Sequence, residues 1–275
     1  TASFSAVIND NNQTGYLSHL ITLDMGDMGM VGFDQGVGEF GASTIDDKSP
    51  TAWEESWHNT ANSSGGLVHS GGSGGVLGYS NSVGGFDLTV EYAPALTTAD
   101  NGDGGASGDN TSLANGSNIN FAINNSSLID GLAFGVGAGE SEYDDESIVG
   151  HENGSSSVAY ANYTMGSITA GITISDSANT RSATAVDTNT GGREVEAYGV
   201  SMAVNDNLSI SYNEHNMTYR KAGAGPDVEQ QSTGIAIAYT MGGATLAIQN
   251  NSMDNVTGAA NTNDEITEVS LSLAF

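Results

Sequence analysis

The chain has 275 residues, with 33 Asp and Glu, 5 Lys and Arg and no Cys, for a formal net charge of −28 and a pI near 4.1. Such a charge repels polyanions and excludes nucleic-acid or phosphate binding, and the lack of Cys excludes a disulfide frame, a thiolate zinc site and a thiol nucleophile. No apolar run reaches the roughly 18 residues of a membrane helix, and no basic segment followed by an apolar stretch opens the chain, so any signal peptide has gone.

The recurring unit is a run of about 8–11 residues in which apolar and small polar side chains alternate, the period of a strand with one dry and one wet face. The first run is 2–9. A short connection at Gly26-Asp27 leads into the third, 28–34. The longest connection runs from Gln35 to Gly75 and holds both Trp residues, Trp53 and Trp57. It also carries the one helix signal: in SPTAWEESWHN, Ser49 stands as N-cap, Pro50 at the first position and Glu54-Glu55 near the first turn, which predicts one short helix. The glycines of GGSGGVLG (Gly71 to Gly78) do not lead from a strand into a helix, so they are no nucleotide fingerprint. After a short turn at Asn81–Gly85, Phe86, Leu88, Val90 and Tyr92 share one face, and Asp87, Thr89 and Glu91 the other. A long connection, Pro94–Ser117, and a short one, Asn125–Asp130, precede Leu132, Phe134 and Val136. Beyond the long Glu140–Ser156, a turn at Gly166 opens Ile168, Ala170, Ile172 and Ile174. The long Asp176–Arg193 and short Asn205-Asp206 follow. Leu208, Ile210 and Tyr212 then alternate with Ser209, Ser211 and Asn213. Past Asn216–Gln231, Ile235, Ile237, Tyr239 and Met241 pair across Gly242 with Leu246 and Ile248. Ser252–Asp264 leads to the closing EITEVSLSLAF, with Val269, Leu271, Leu273 and Phe275 on one face and Glu268, Ser270, Ser272 and Ala274 on the other. This gives about fourteen strands joined by alternating short and long connections. Pro50, Pro94 and Pro226 all fall in the long ones, where no ladder hydrogen bond is lost.

The wet face decides the class. A soluble sandwich or small barrel fills its inner face with large side chains. Here the non-apolar face is Ser, Thr, Gly, Ala, Asn, Asp and Glu, and the large apolar residues suffice only for one outward band. That is a membrane barrel with lipid outside and water inside, its turns on one side and its loops on the other. The predicted fold is therefore all-β: an antiparallel up-and-down transmembrane β-barrel forming a single domain over residues 1–275.

With Phe275 ending an alternating strand, the chain resembles an outer-membrane β-barrel of Gram-negative bacteria, and Val269, Leu271, Leu273 and Phe275 resemble the signal read by the barrel-assembly machinery. The resemblance extends to the trimeric general porins, especially those of α-proteobacteria. In that family the long third extracellular loop folds into the barrel and narrows the pore, and it follows the fifth of sixteen strands. Here the longest connection, 35–75, follows the third visible strand and eleven segments come after it, the family's number. The resemblance thus implies that a first hairpin is missing from the chain as given; a genuine fourteen-stranded barrel is the alternative. Within the loop, GEFGAS (Gly38 to Ser43) resembles the E-F-G loop tip of enterobacterial porins. The family's ladder of Arg opposite the loop has no counterpart, since Lys48, Arg181, Arg193, Arg220 and Lys221 all lie off the central parts of the predicted strands.

The resemblance implies a passive channel for small hydrophilic solutes, located in the outer membrane, bordered by lipid and lipopolysaccharide, with neither catalysis nor a cofactor. An acidic lumen raises local cation concentration and depresses anions. The expected constriction residues are Asp46, Asp47, Glu54 and Glu55 with Lys48, and the expected wall residues are Asp24, Asp87, Glu91 and Glu268. Asp100, Asp103, Asp144 and Asp145, in glycine-rich or acidic outer loops, are candidates for Ca or Mg, although neither stretch fits a twelve-residue calcium loop. His19, His58, His69, His151 and His215 show no zinc-ligand spacing. The small residues Gly135, Gly137, Ala159 and Ala161 are candidates for packing between subunits of a homotrimer. The competing reading is a secreted Gly/Asp-rich, calcium-binding β-solenoid or surface adhesin, which requires a fixed short repeat that the chain does not show.

Overall fold

A computed structural model of the chain describes residues 1–8, 16–35, 37–62, 75–94, 115–143, 154–178, 192–220 and 225–274. They form fourteen strands: β1 (Ala2–Ile8), β2 (Tyr16–Asp24), β3 (Met30–Gln35), β4 (Val76–Val83), β5 (Phe86–Ala93), β6 (Asn115–Ile129), β7 (Leu132–Tyr143), β8 (Gly154–Met165), β9 (Ile168–Ala178), β10 (Arg193–Asn205), β11 (Leu208–Tyr219), β12 (Val228–Met241), β13 (Ala244–Asp254) and β14 (Asn263–Leu273). Each pairs antiparallel with its sequence neighbours in one up-and-down sheet, with β1 and β14 at its edges. A β-solenoid stacks parallel coils, so this topology does not favour the solenoid reading.

Connections alternate as the sequence predicts. At one end the turns are tight. Gly84 and Gly85, both at positive φ, join Val83 to Phe86, and a left-handed conformation at both central positions suits the twist of a two-residue hairpin. At the other end the connections are longer, and residues 36–75 between β3 and β4 are the longest.

The two faces are inverted relative to a soluble protein. Ile21, Leu77, Val136, Val200, Ile235 and Val269, on six different strands, are between 47% and 67% exposed on the outer face. Thr89, Asn120, Thr173, Asn213, Ser232 and Gln249 are buried on the inner one. Such an arrangement is stable when hydrocarbon lies outside. On β10 and β11 the apolar band ends at Tyr198 and Tyr212, whose hydroxyls donate to Glu196 at 2.8 Å and Glu214 at 3.4 Å. Outward positions beyond them, Glu194 and Asn216, are polar, as expected above an aromatic girdle.

Two expectations need correction. Gly137 does not lie on an outer surface for subunit packing: a Cβ there would meet Val158 and Ala42, inside the wall. Neither is Gly135 bare to the outside, since a Cβ there would lie 2.6 Å from the Tyr160 ring. The predicted helix over Ser49–Asn59 is also absent, and that stretch makes isolated turns, closed by His58 N donating to the Glu55 carbonyl and Thr60 N to Trp57. Asn59 takes a positive φ of 53°. Thr51 Oγ1 donates to the Glu54 carbonyl, and Ala52 N donates to Ser211 Oγ on β11, so groups that a helix would pair are committed elsewhere. The loop's short helical turn lies earlier, at Ala42–Thr44.

Candidate functional site: a belt along the inner wall

The site is built by the loop after β3. Asp34, buried near the end of β3, turns the chain inward by accepting Val37 N at 2.8 Å and Glu39 N at 2.7 Å. Phe40 then drops its ring into a notch made by Gly32 on β3 and Gly78 on β4, where a Cβ would lie 2.6 Å and 2.0 Å from the ring. Gly41, at a φ of 74°, passes so close to β6 that a Cβ would stand 2.0 Å from Asn120 Oδ1. Its N–H donates to Thr89 Oγ1 at 2.9 Å, and Ala42 N donates to Asn120 Oδ1 at 2.6 Å. Asn120 in turn donates to Glu91 Oε1 at 2.8 Å.

From this anchorage the chain follows the wall. Ala42 and Ile45 pack on Ala122 of β6 and on Val158 and Tyr160 of β8. Asn162 Nδ2 donates to the Lys48 carbonyl at 2.6 Å. Pro50 lies over Gly171 of β9 and Gly199 of β10, and its carbonyl accepts from Asn213 Nδ2 at 2.7 Å. Ser56 crosses Gly234 of β12. Two amides of β13, Gln249 and Asn251, donate to the Glu55 carbonyl at 2.7 Å and 3.2 Å. Trp57 packs on His215 of β11 with ring centroids 4.4 Å apart. On β14, Glu268 lies 3.0 Å from His58 Nδ1 and accepts from Asn59 Nδ2, and Asp264 accepts Ala61 N at 2.7 Å. Residues 37–62 therefore touch each strand from β3 to β14, always on the inner face. The loop is a belt lying against the wall.

The expected site residues fall into three groups. Glu91 and Glu268 are engaged with the belt: Glu91 is buried beneath its tip, and Glu268 holds its far end. Asp24 and Asp87 line one cavity of about 640 Å³ on the turn side of the belt's tip, together with Asp27 and Glu39. Among the described residues no Lys or Arg lines it. Asp46, Asp47, Lys48, Glu54 and Glu55 all lie on the belt, with Asp47 and Lys48 exposed between the wall contacts of Ile45 and Pro50. Although the Asp47 side chain is exposed in part on the lumen side of the belt's surface, the surrounding chain strips water from its carboxyl and raises it above the usual carboxylate range, against the opposing pull of Glu55 and Lys48. The same loss of water, followed by the Asp47 charge, pushes Glu55 up to about 7.

Val269, Leu271 and Leu273 are exposed on the outer face of β14. Phe275 lies outside the described residues, as do the candidate metal ligands Asp100, Asp103, Asp144 and Asp145. The wall amides and glycines that hold the belt escaped sequence reasoning. Their signal is positional: an Asn, Gln or Gly at an inward position of a strand where Ser and Thr are the rule.

No protein-family model matches the chain, and no curated protein sequence matches it. Solved structures do. The loop L8 deletion mutant of OmpT, an outer membrane protein of Vibrio cholerae, is 13% identical, with a TM-score of 0.62 over 98% of this chain and 84% of that one. A refined porin structure gives 13% identity and a TM-score of 0.60 over 92% and 81%. OmpF of Salmonella typhi, in a complex with daunomycin, gives 14% and 0.58 over 94% and 78%. At these identities the likeness is one of fold: the chain has the porin β-barrel architecture.

Proposed function

We propose that the chain forms a passive diffusion channel in the outer membrane of a Gram-negative bacterium, size-limited by the belt and biased toward cations. The observation that carries the reading is the belt itself. A polar-lined sheet with lipid-facing residues outside and a loop fastened along its inner face is built to hold open a narrowed, water-filled path. The cation bias follows from charge: the belt sets five carboxylates against Lys48, and the cavity at its tip adds Asp24, Asp27 and Asp87, with no basic residue among the described residues that line it. No step consumes energy, and the reading calls for neither a catalytic residue nor a cofactor. Its partners are outer-membrane lipid and lipopolysaccharide, the barrel-assembly machinery acting on β14, and two further copies in a homotrimer of the α-proteobacterial general-porin type.

The test is reconstitution of the natively extracted protein in a planar bilayer under a salt gradient. Conductance steps in groups of three, with a reversal potential favouring cations, are expected. Anion preference would keep the channel and sink the charge argument. A folded protein without conductance would end the channel reading.

A further inference from the structure

The outer loop between β13 and β14 meets the end of the belt at one buried side chain. Gln230, inward on β12 and fully buried, presents its Oε1 to both. From the loop it accepts Thr257 N at 2.9 Å, and from the belt it accepts Asn62 Nδ2 at 2.8 Å. A main-chain N–H can only donate, so the Thr257 bond fixes which end of the amide is oxygen. Asn62 also donates to the Tyr219 hydroxyl at 2.7 Å, and Tyr219 is buried with Val195 and Met217 on the inner wall. A second contact runs in parallel: Asp264, where the same loop enters β14, accepts Ala61 N at 2.7 Å. The loop is also tied to β12, with Asn255 Nδ2 donating to the Glu229 carbonyl at 2.9 Å. Its backbone is held in a costly shape. Asn255, Thr257 and Asn261 take positive φ, and Thr257, at 55°, is a β-branched residue for which that conformation is strained. Such strain persists only where surrounding contacts hold it, and the bond from Thr257 N to Gln230 is one of them. Ala259, Ala260 and Asn261, at the loop's turn, stand exposed.

We propose that Gln230 is a positioning residue that couples the β13–β14 loop to the end of the belt, so that a load on the loop's exposed turn shifts the belt and changes conduction. The inference rests on the diffusion-channel reading and adds a route by which the channel is regulated from its loop side. The coupling runs through contiguous hydrogen bonds from Thr257 to Gln230 to Asn62, and the two states it biases are the docked and the undocked belt end. It is reciprocal: whatever undocks the belt's end loosens the loop by the same factor. The belt's tip is outside this link, since Gly41 and Ala42 are fastened to Thr89 of β5 and Asn120 of β6.

The experiment uses the natively extracted protein. The chain has no Cys, so Ala260→Cys supplies a single attachment point, which is biotinylated and then loaded with streptavidin. Single-channel current is read in planar bilayers before and after loading, and hydrogen exchange is read in detergent. Gln230→Met keeps a side chain of similar length and removes the amide oxygen. It is expected to raise exchange over residues 59–62 and 256–258 together, each about ten-fold, and to leave residues 38–45 unchanged. Loading is expected to change the open-channel current of Ala260→Cys, and to lose most of that effect once Gln230→Met is added. Asn62→Ala cuts the belt's half of the joint without touching β12 and should likewise uncouple load from current, so the test stands even where Gln230→Met fails to fold. A load without effect on the Ala260→Cys channel, or one that changes the current equally with and without Gln230, overturns the proposal and leaves the channel reading intact. So does a rise in exchange confined to one of the two segments. A folded protein that conducts no ions overturns the channel reading and the proposal with it.

Discussion

The notch at Gly32 and Gly78 gives the sharpest test of how the belt is held. Phe40 is fully buried there, and a Cβ on Gly78 would sit 2.0 Å from its ring, closer than any tolerated contact. Gly78→Ala therefore evicts the ring and forfeits about 3 kcal/mol of aromatic burial. Phe40→Ala forfeits the same contact from the other side, at about 3–5 kcal/mol with the cavity included. If both act only through the notch, the double variant costs little more than Phe40→Ala alone, and a double-mutant cycle returns a coupling of about 3 kcal/mol. Hydrogen exchange of the belt's tip, residues 38–45, measures this directly: each single variant should raise the undocked fraction roughly 100-fold. Single-channel conductance should fall or become noisy in both, as the freed tip enters the lumen. Costs that add to within about 0.5 kcal/mol, or a Gly78→Ala protein with unchanged exchange, would refute the notch as the seat of the tip.

Other contacts make weaker demands. Asn120→Ala removes the acceptor of Ala42 N–H and a donor to the buried Glu91, and should cost about 2–3 kcal/mol in thermal unfolding in detergent. Glu268→Ala releases His58 and Asn59 while Asp264 still holds Ala61, so exchange over residues 55–60 should rise about ten-fold and open-channel current should flicker. Docking of the belt should also depend on pH. The Glu55 carboxyl is raised from 4.5 to about 7 in the folded chain, so the folded state binds the extra proton between those values. Docking is then strongest below about pH 4.5, weakens as the pH climbs through 7, and is flat beyond. Hydrogen exchange near residue 55 across that range checks the sign, and Glu55→Gln should abolish the step near pH 7.

The wall was legible in the sequence and the belt only in part. Alternation along Phe86–Tyr92 or Val269–Leu273 assigns each side chain to one face, and a two-residue period leaves no freedom to err once a strand is placed. Short and long connections, and the loop ending at Gly75, follow from the same parity. The path of the loop inside the sheet depends instead on contacts with many distant strands. Nothing local told Glu91 from Asp87, two acids at alternate inward positions of one strand. One is covered by the belt's tip and the other is left open to a cavity. The helix signal at Ser49-Pro50 was sound as local chemistry, but Asn213, Ser211, Gln249 and Asn251 bind the backbone of that stretch from outside it, and tertiary hydrogen bonds outweigh a few tenths of a kcal/mol of propensity per residue. Parity with Phe134 and Val136 already puts Gly137 on the inner face, which the expectation of subunit packing overlooked, and the belt's Ala42 lies against it there.

The composition also explains how the belt is fastened. A chain with 33 carboxylates and 5 basic side chains cannot hold an acidic loop inside an acidic barrel by ion pairs. Among the described residues Arg220 spends its charge on Asp176 and Glu194 near the loop-side rim, and His58 Nδ1 of the belt lies 3.0 Å from a Glu268 carboxylate oxygen. Glu268 and Asp264 hold only the belt's far end, and the rest of the attachment is made with neutral groups: Asn and Gln side chains bonded to main-chain N–H and C=O groups, and Gly at the positions where a Cβ would push the belt away. These bonds gain little from charge and lose little to salt, so docking of the middle of the belt should be insensitive to ionic strength. The position of the belt's charges is thereby fixed by amides and by the absence of side chains.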